Sequence, residues 1–211
     1  MKTTYELYRP FGPPIGKFKI PPKIVKKIND FVDIAVIDKV KAKELDVGSG
    51  LAGQVTQELA LPEEIIQGEL VKLFSSFTSD YINGSLGVQI KNFSLLQCWV
   101  VRQFKNEYNP VHWHGGHISG VGYLKVPKTF GKSPQPESKK NNNNGKIELI
   151  HGSRQFLSDS SFVISPEVGY FYFFPHYMMH TVYPFNGTDE ERRSISFNAT
   201  IDEKSFYVYG N

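Results

Sequence analysis

From Pro22 onward, apolar side chains recur at three- and four-residue spacing, at Ile24, Ile28, Phe31, Val32 and Ala35, and so line one face of a helix. Pro22 falls in the first turn, where its missing N–H leaves no bond unmade. Upstream, RPFGPPIGKFKIPP holds too much proline and glycine for a helix and must be extended or turning. After VGSGLAG a second helix is predicted from Pro62. Glu63 and Glu64 stand at its positive end, and Ile66, Leu70, Leu73, Phe74, Phe77 and Tyr81 form its inward stripe.

Past Tyr81 the period changes from 3.6 to 2. Strands are predicted from Leu95 to Phe104, Ile118 to Val126, Lys146 to Ile150, Gly169 to Phe174, Thr181 to Phe185 and Arg193 to Ile201. Helices first and strands afterwards predict an α+β class, with N-terminal helices packed on one face of a mainly antiparallel sheet. The polar stretch from Lys128 to Gly145, including SPQPESKKNNNNG, reads as a mobile loop insertion, because the strand pattern resumes on both sides.

Composition narrows this picture. The chain has 211 residues, 40% hydrophobic and 21% charged, as expected of one globular domain over 1–211. A formal charge of +3 is far from the basic stripe that phosphate neutralisation requires, so nucleic acid is not indicated as a partner. Cys98 lacks a second cysteine to pair with, and with Leu96, Trp99 and Val100 beside it reads as a buried core thiol. The N-terminus lacks the apolar segment of a secretion signal, and no apolar run approaches a membrane span, so the expectation is a cytoplasmic protein.

The chemistry concentrates in HWHGGHISGVGYLKVP, which carries three of the six histidines. In an extended backbone His112 and His114 project to one side while Trp113 faces the other, which makes half of a chelating site. His180, just ahead of TVYPF at the end of an aromatic strand, is the best candidate for a third ligand. A histidine-rich polar turn is the competing account of the pair. His117 follows two glycines and has no readable direction, and His176 and His151 read as surface or supporting residues.

The final strand, RRSISFNATI, places Arg192, Ser194, Ser196, Asn198 and Thr200 on one face and Arg193, Ile195, Phe197, Ala199 and Ile201 on the other. A solvated polar face is the plain explanation. An arginine fork beside a hydroxyl also suits a carboxylate. Tyr123, sharing a side with Ser119 and Val121, offers a further donor, or is a core tyrosine satisfied by a carbonyl.

Together, HWH followed by SGVGYLKVP, then PEVGYFYFFPHYMMHTVYP, then RRSISFN resemble the iron(II)- and 2-oxoglutarate-dependent oxygenases in their prolyl-hydroxylase-like branch, including a bacterial and viral group. The resemblance implies a double-stranded β-helix, the cupin-like jelly roll, with one sheet face lining a metal pocket and the other against the helices. It implies Fe(II) on His112, His114 and His180, and 2-oxoglutarate held by Arg192, Ser194 and Tyr123. Arg193 is sent to the opposite face. The implied activity couples oxidative decarboxylation of 2-oxoglutarate by dioxygen to hydroxylation of an unknown substrate, a small molecule or a peptidyl group, and leaves a homodimer open.

One departure stands out. The family pattern is two histidines and one carboxylate, and His114 occupies the carboxylate's place. That puts in doubt metal preference and turnover, and it disfavours halogenation, which vacates that position. The rivals are a non-enzymatic jelly-roll binding or virion structural module, with a structural metal or none, and a three-histidine oxygenase that dispenses with 2-oxoglutarate. The 128–145 loop reads either as a substrate lid, since long polar loops near sites often close over them, or as a solvated insertion of no functional consequence.

Overall fold

The computed structural model describes residues 4–8, 12–132 and 142–207. In chain order the elements are β1 (Tyr5–Tyr8), β2 (Ile15–Lys19), α1 (Pro22–Ala35), α2 (Lys39–Leu45), β3 (Gln57–Ala60), α3 (Glu63–Ile66), α4 (Glu69–Leu86), β4 (Phe93–Gln103), β5 (Asn109–His112), β6 (Ile118–Lys125), β7 (Ile147–Ile150), β8 (Ser161–Ile164), β9 (Tyr170–Pro175), β10 (Met179–Val182), β11 (Arg192–Ile201) and α5 (Glu203–Phe206). The strands form two antiparallel sheets, a seven-stranded one in the order β1-β2-β9-β6-β11-β4-β3 and a four-stranded one in the order β5-β10-β7-β8. These face each other as a jelly roll, and the α+β expectation with helices on one sheet is met.

The larger sheet is buried on both sides. Its outer face packs α1 and α4 through Ile24, Ile28 and Val32 on one helix and Leu70, Phe74, Phe77 and Tyr81 on the other, against Phe18, Val100, Phe171, Phe173, Ile195 and Phe197. Phe74 stacks on Phe197 at 4.5 Å and Phe18 on Phe77 at 4.6 Å. Its inner face, with Val121, Tyr123, Tyr172 and Phe174, meets Ile147, Leu149 and Val182 of the smaller sheet. The glycines of SGVGYL make room for this aromatic layer. A methyl group on Gly120 would stand 2.5 Å from the Phe197 ring, and one on Gly122 would stand 2.4 Å from that of Phe171.

Several expectations are corrected. Two strands precede the first helix, since β2 pairs with β9 from Gly16 to Lys19 and β1 pairs with β2. The predicted second helix is two, because Gly68 takes φ +88° and breaks the chain between α3 and α4. The four-residue strands β1, β3, β5 and β8 and the helix α2 give no periodic signal; α2 instead depends on Asp38, whose side chain accepts from Val40 N at 2.9 Å and Lys41 N at 3.1 Å. The strand at 181–185 starts earlier and ends at Val182, ahead of Pro184, which has no N–H to donate. Leu96 is 52% exposed because a β-bulge opposite Asn198 and Ala199 turns it outward, whereas Cys98 lies in the helix-side core as expected. Residues 133–141 of the 128–145 loop lie outside the described residues. Among the described residues no helix is long and apolar enough to cross a membrane.

Arg193 fastens the sheet to α1 from the helix side. It is buried, donating to Glu191 at 2.7 and 2.9 Å, to Asp33 at 2.6 Å and to Asn29 Oδ1 at 3.0 Å. Glu191 also accepts from Arg102 at 2.7 Å. Burial alone would raise the Glu191 carboxyl, but its bonds to Arg193 and Arg102 outweigh that and hold it at about 2.

Candidate functional site

Strand pairing assembles the histidines. In the smaller sheet β10 lies beside β5 with His180 directly opposite His112, and His114 follows two residues on. Ring centroids stand 4.2 Å apart for His112 and His180, 4.8 Å for His114 and His180, and 5.2 Å for His112 and His114. One nitrogen from each falls within 4.8 Å of the others.

The opposite nitrogens fix the tautomers. His112 Nδ1 is 2.7 Å from the Pro110 carbonyl, His180 Nδ1 is 2.9 Å from the Met178 carbonyl, and His114 Nδ1 is 2.7 Å from Asn198 Oδ1. A carbonyl oxygen only accepts, so each Nδ1 carries the proton and each Nε2 keeps a free lone pair, the form that ligates metal. Burial favours the neutral rings. It lowers His112, takes His114 down to about 4 against the opposing bond to Asn198, and holds His180 well below the ordinary imidazole range with its two neighbours adding to the effect.

Asn198 was legible only as one member of a polar strand face. Its Oδ1 also accepts from Ser119 Oγ at 2.9 Å, and its amide donates to Gln97 at 3.4 Å. The amide orientation that serves Gln97 thus presents oxygen to the imidazole. With an imidazole in the customary carboxylate position, a neutral acceptor behind it suits a neutral ligand.

The three histidines line a cavity of about 310 Å³ between the sheets, together with Arg192, Ser194, Ser196 and Asn198 of β11, Gln97 and Trp99 of β4, and Glu58 of β3. Arg192 is 1% exposed. Its Nε donates to the Gly145 carbonyl at 2.9 Å and its Nη1 to Ser194 Oγ at 3.3 Å, while Nη2 is buried and has no partner among the described residues. The guanidinium carbon lies 5.2 Å from the Tyr123 ring centre. Tyr123, opposite Ser194 in register, sits behind this arginine in the inter-sheet core; its hydroxyl makes no well-aligned hydrogen bond among the described residues, and burial pushes it up against the opposing pull of Arg192. Unpaired buried donors of this kind mark a place for an acceptor, and a carboxylate suits the set.

The remaining histidines stand apart. His117 accepts from Ile201 N at 3.1 Å and stacks on Phe206 at 3.9 Å, and His176 lies beside the His117 carbonyl at 3.3 Å. Glu58, on a strand that the sequence pattern does not reveal, is the acidic side chain in the cavity wall and had no signal beyond its charge.

A jelly roll that gathers three histidines, one buried and two partly buried, beside an inward-facing arginine on its last strand has a donor set suited to a metal ion and an anion. Residues 97–198, just under half of the chain, match the family model described as "Putative 2OG-Fe(II) oxygenase". A prolyl-4-hydroxylase from Pseudomonas putida superposes with TM-score 0.53 at 18% identity, covering 87% of this chain and 91% of its own. The viral collagen prolyl hydroxylase of Paramecium bursaria chlorella virus 1, in complex with 2-oxoglutarate, gives 0.54 at 14% identity, with 88% and 94% covered. At these identities the likeness concerns the fold. No curated protein matches the chain.

Proposed function

We propose that the protein is an Fe(II)- and 2-oxoglutarate-dependent dioxygenase in which His112, His114 and His180 hold the metal and Arg192, Ser194 and Tyr123 receive the distal carboxylate of the oxo acid. The observation that carries this is the convergence of three unprotonated Nε2 atoms in one cavity with a buried, half-partnered guanidinium. When bound, iron and 2-oxoglutarate supply the oxidation, in which dioxygen gives one atom to the oxo acid, leaving succinate and carbon dioxide, and the other to a C–H bond of the substrate.

The protein's own contribution is binding, orientation and exclusion of water. His112, His114 and His180 would hold the metal as three neutral ligands, and Arg192 would attract the distal carboxylate of the anionic oxo acid from the opposite end. Burial strengthens both attractions. The wall of Trp99, Val101, Phe174 and Val182 keeps the cavity apolar around the reacting centre.

The deciding experiment is succinate formation by the purified protein under air with iron(II) and 2-oxoglutarate, with His180→Ala and Arg192→Ala alongside. Metal-dependent succinate that falls at least tenfold in both variants is the expected result. Succinate unchanged in both would refute the assignment, and turnover of substrate without the oxo acid would point to the three-histidine oxygenase alternative.

A further inference from the structure

The cavity has a second polar end. β3 closes the edge of the larger sheet, and pairing sets Glu58 opposite Val101, Val101 opposite Ser194, and Ser194 opposite Tyr123. These four residues form one row across the inner face. With strands about 4.8 Å apart, Glu58 stands about 10 Å from Ser194. Arg192 and Tyr123 thus hold one end of the row and a carboxylate holds the other.

Glu58 is 2% exposed, and its Oε2 is buried with no hydrogen-bond partner among the described residues. A turn of 3-10 helix at Gly48–Gly50 and the residues after it cover the carboxylate. A methyl group on Gly53 would stand 2.8 Å from Oε1 and 2.9 Å from Oε2, so glycine is what permits the loop to lie so close. The loop nevertheless gives Oε2 no donor. Burial, with Asp46 nearby, pushes Glu58 up to about 7. Leaving a carboxylate buried without a partner costs stability, and such groups are retained where a ligand completes them.

Charge along the route supports a cation. A second cavity of about 740 Å³ shares Gly50, Leu51, Gln97 and Trp99 with the first, so the two adjoin beneath this loop. The second is apolar along Leu61, Ile66 and Leu95, and its charged lining residues are Asp46 and Glu63. Among the lining residues of both cavities, Arg192 is the sole permanent cation, and it belongs to the far end. A chain with formal charge +3 therefore presents an approach of the opposite sign.

We propose that Glu58 is a specificity-determining residue that receives a cationic group, an ammonium or guanidinium, on the substrate of this site. This rests on the oxygenase reading of the cavity. An apolar stem passing beneath Leu51 and Trp99 with a positive head at Glu58 satisfies both the apolar wall and the lone carboxylate.

The test is calorimetric titration of N-acetyl-lysine methylamide, its arginine analogue and N-acetyl-norleucine methylamide, which keeps the stem and drops the charge. Each is titrated into bare protein and into protein loaded with zinc and 2-oxoglutarate. Zinc and oxo-acid stoichiometries are recorded separately, so failure to load counts against the oxygenase reading of the cavity and not against Glu58. The cationic probes are expected to bind about tenfold or more tightly than the norleucine probe, the range of one charge-assisted contact. Glu58→Gln, near in shape and checked by melting, should abolish that difference. Equal affinities, including the case in which no probe binds, or a preference that survives in Glu58→Gln, overturn the proposal.

Discussion

At the residue scale the site depends on which nitrogen of each imidazole is free. Removing Asn198 Oδ1 frees the His114 ring to turn and to take the other tautomer, so Asn198→Ala should weaken metal affinity about 10–100-fold while leaving the three ligands in place. Competition against a chelator measures it, and unchanged affinity would remove Asn198 from the account. His180→Ala takes away the most buried ligand, and metal content by elemental analysis should fall from near stoichiometric to near zero. Arg192→Ala leaves the metal bound and is expected to weaken 2-oxoglutarate binding about 10–150-fold, the value of one to two charged hydrogen bonds. Of these residues, the HxH pair and Arg192 were legible because strand alternation fixes which neighbours share a side, and His180 because it stands at the end of an aromatic strand, just ahead of TVYPF. Asn198 lay on the same legible face, but nothing in the pattern says that its amide meets His114, since that contact spans 84 residues.

At the element scale, β11 is held from opposite sides by its two adjacent arginines. Arg192 turns into the cavity, and Arg193 joins Glu191, Asp33 and Asn29 across to α1. Arg193→Ala leaves Glu191 with Arg102 at 2.7 Å and Lys125 at 3.6 Å, and should cost about 3 kcal/mol of stability, the low end for a broken buried pair, read by denaturant unfolding. The same cluster sets an acid limit. Glu191 is held at about 2 against an ordinary 4.5, so its contribution is complete above pH 4.5 and is lost as pH falls from there towards 2. Glu58 has the opposite sign. Its folded value of about 7 lies above 4.5, so the unfolded chain ionises first, and the penalty grows between pH 4.5 and 7 and persists above. Glu58→Gln is therefore expected to melt above the parent at pH 8 and to match it near pH 4.5. A melting difference independent of pH would contradict the buried, unpartnered state of that carboxylate.

At the scale of the whole molecule, the larger sheet is a plate with chemistry on one side and the helix core on the other. Phe74, Phe171, Phe173 and Phe197 carry the helices, and Phe197 alternates along β11 with the cavity residues Ser196 and Asn198. Truncating it removes a stacked ring from the core while leaving every cavity residue in the sequence. Phe197→Ala should cost about 3–5 kcal/mol, seen as a lowered unfolding midpoint. The glycines of β6 belong to the same layer. A side chain at Gly122 would push against Phe171 and shift β9, which leads into the turn before His180.

By itself the chain's alternation determined the two faces of β11, the side shared by His112 and His114, the inward stripe of α1 and the outcome that Arg193 lies away from Arg192, because period-2 and period-3.6 geometry are local properties of the backbone. The three family-like blocks, in order, pointed to the oxygenase resemblance. Tertiary structure alone decided that β10 lies against β5 in the register that sets His180 opposite His112, since strand neighbours distant in sequence are chosen by packing and ladder bonds. It also decided that the four-residue β3 closes the sheet edge, too short to show a period, and so delivers Glu58 to the cavity. The tautomers belong there as well, because the proton's place on each ring is set by a carbonyl that only the folded chain brings near.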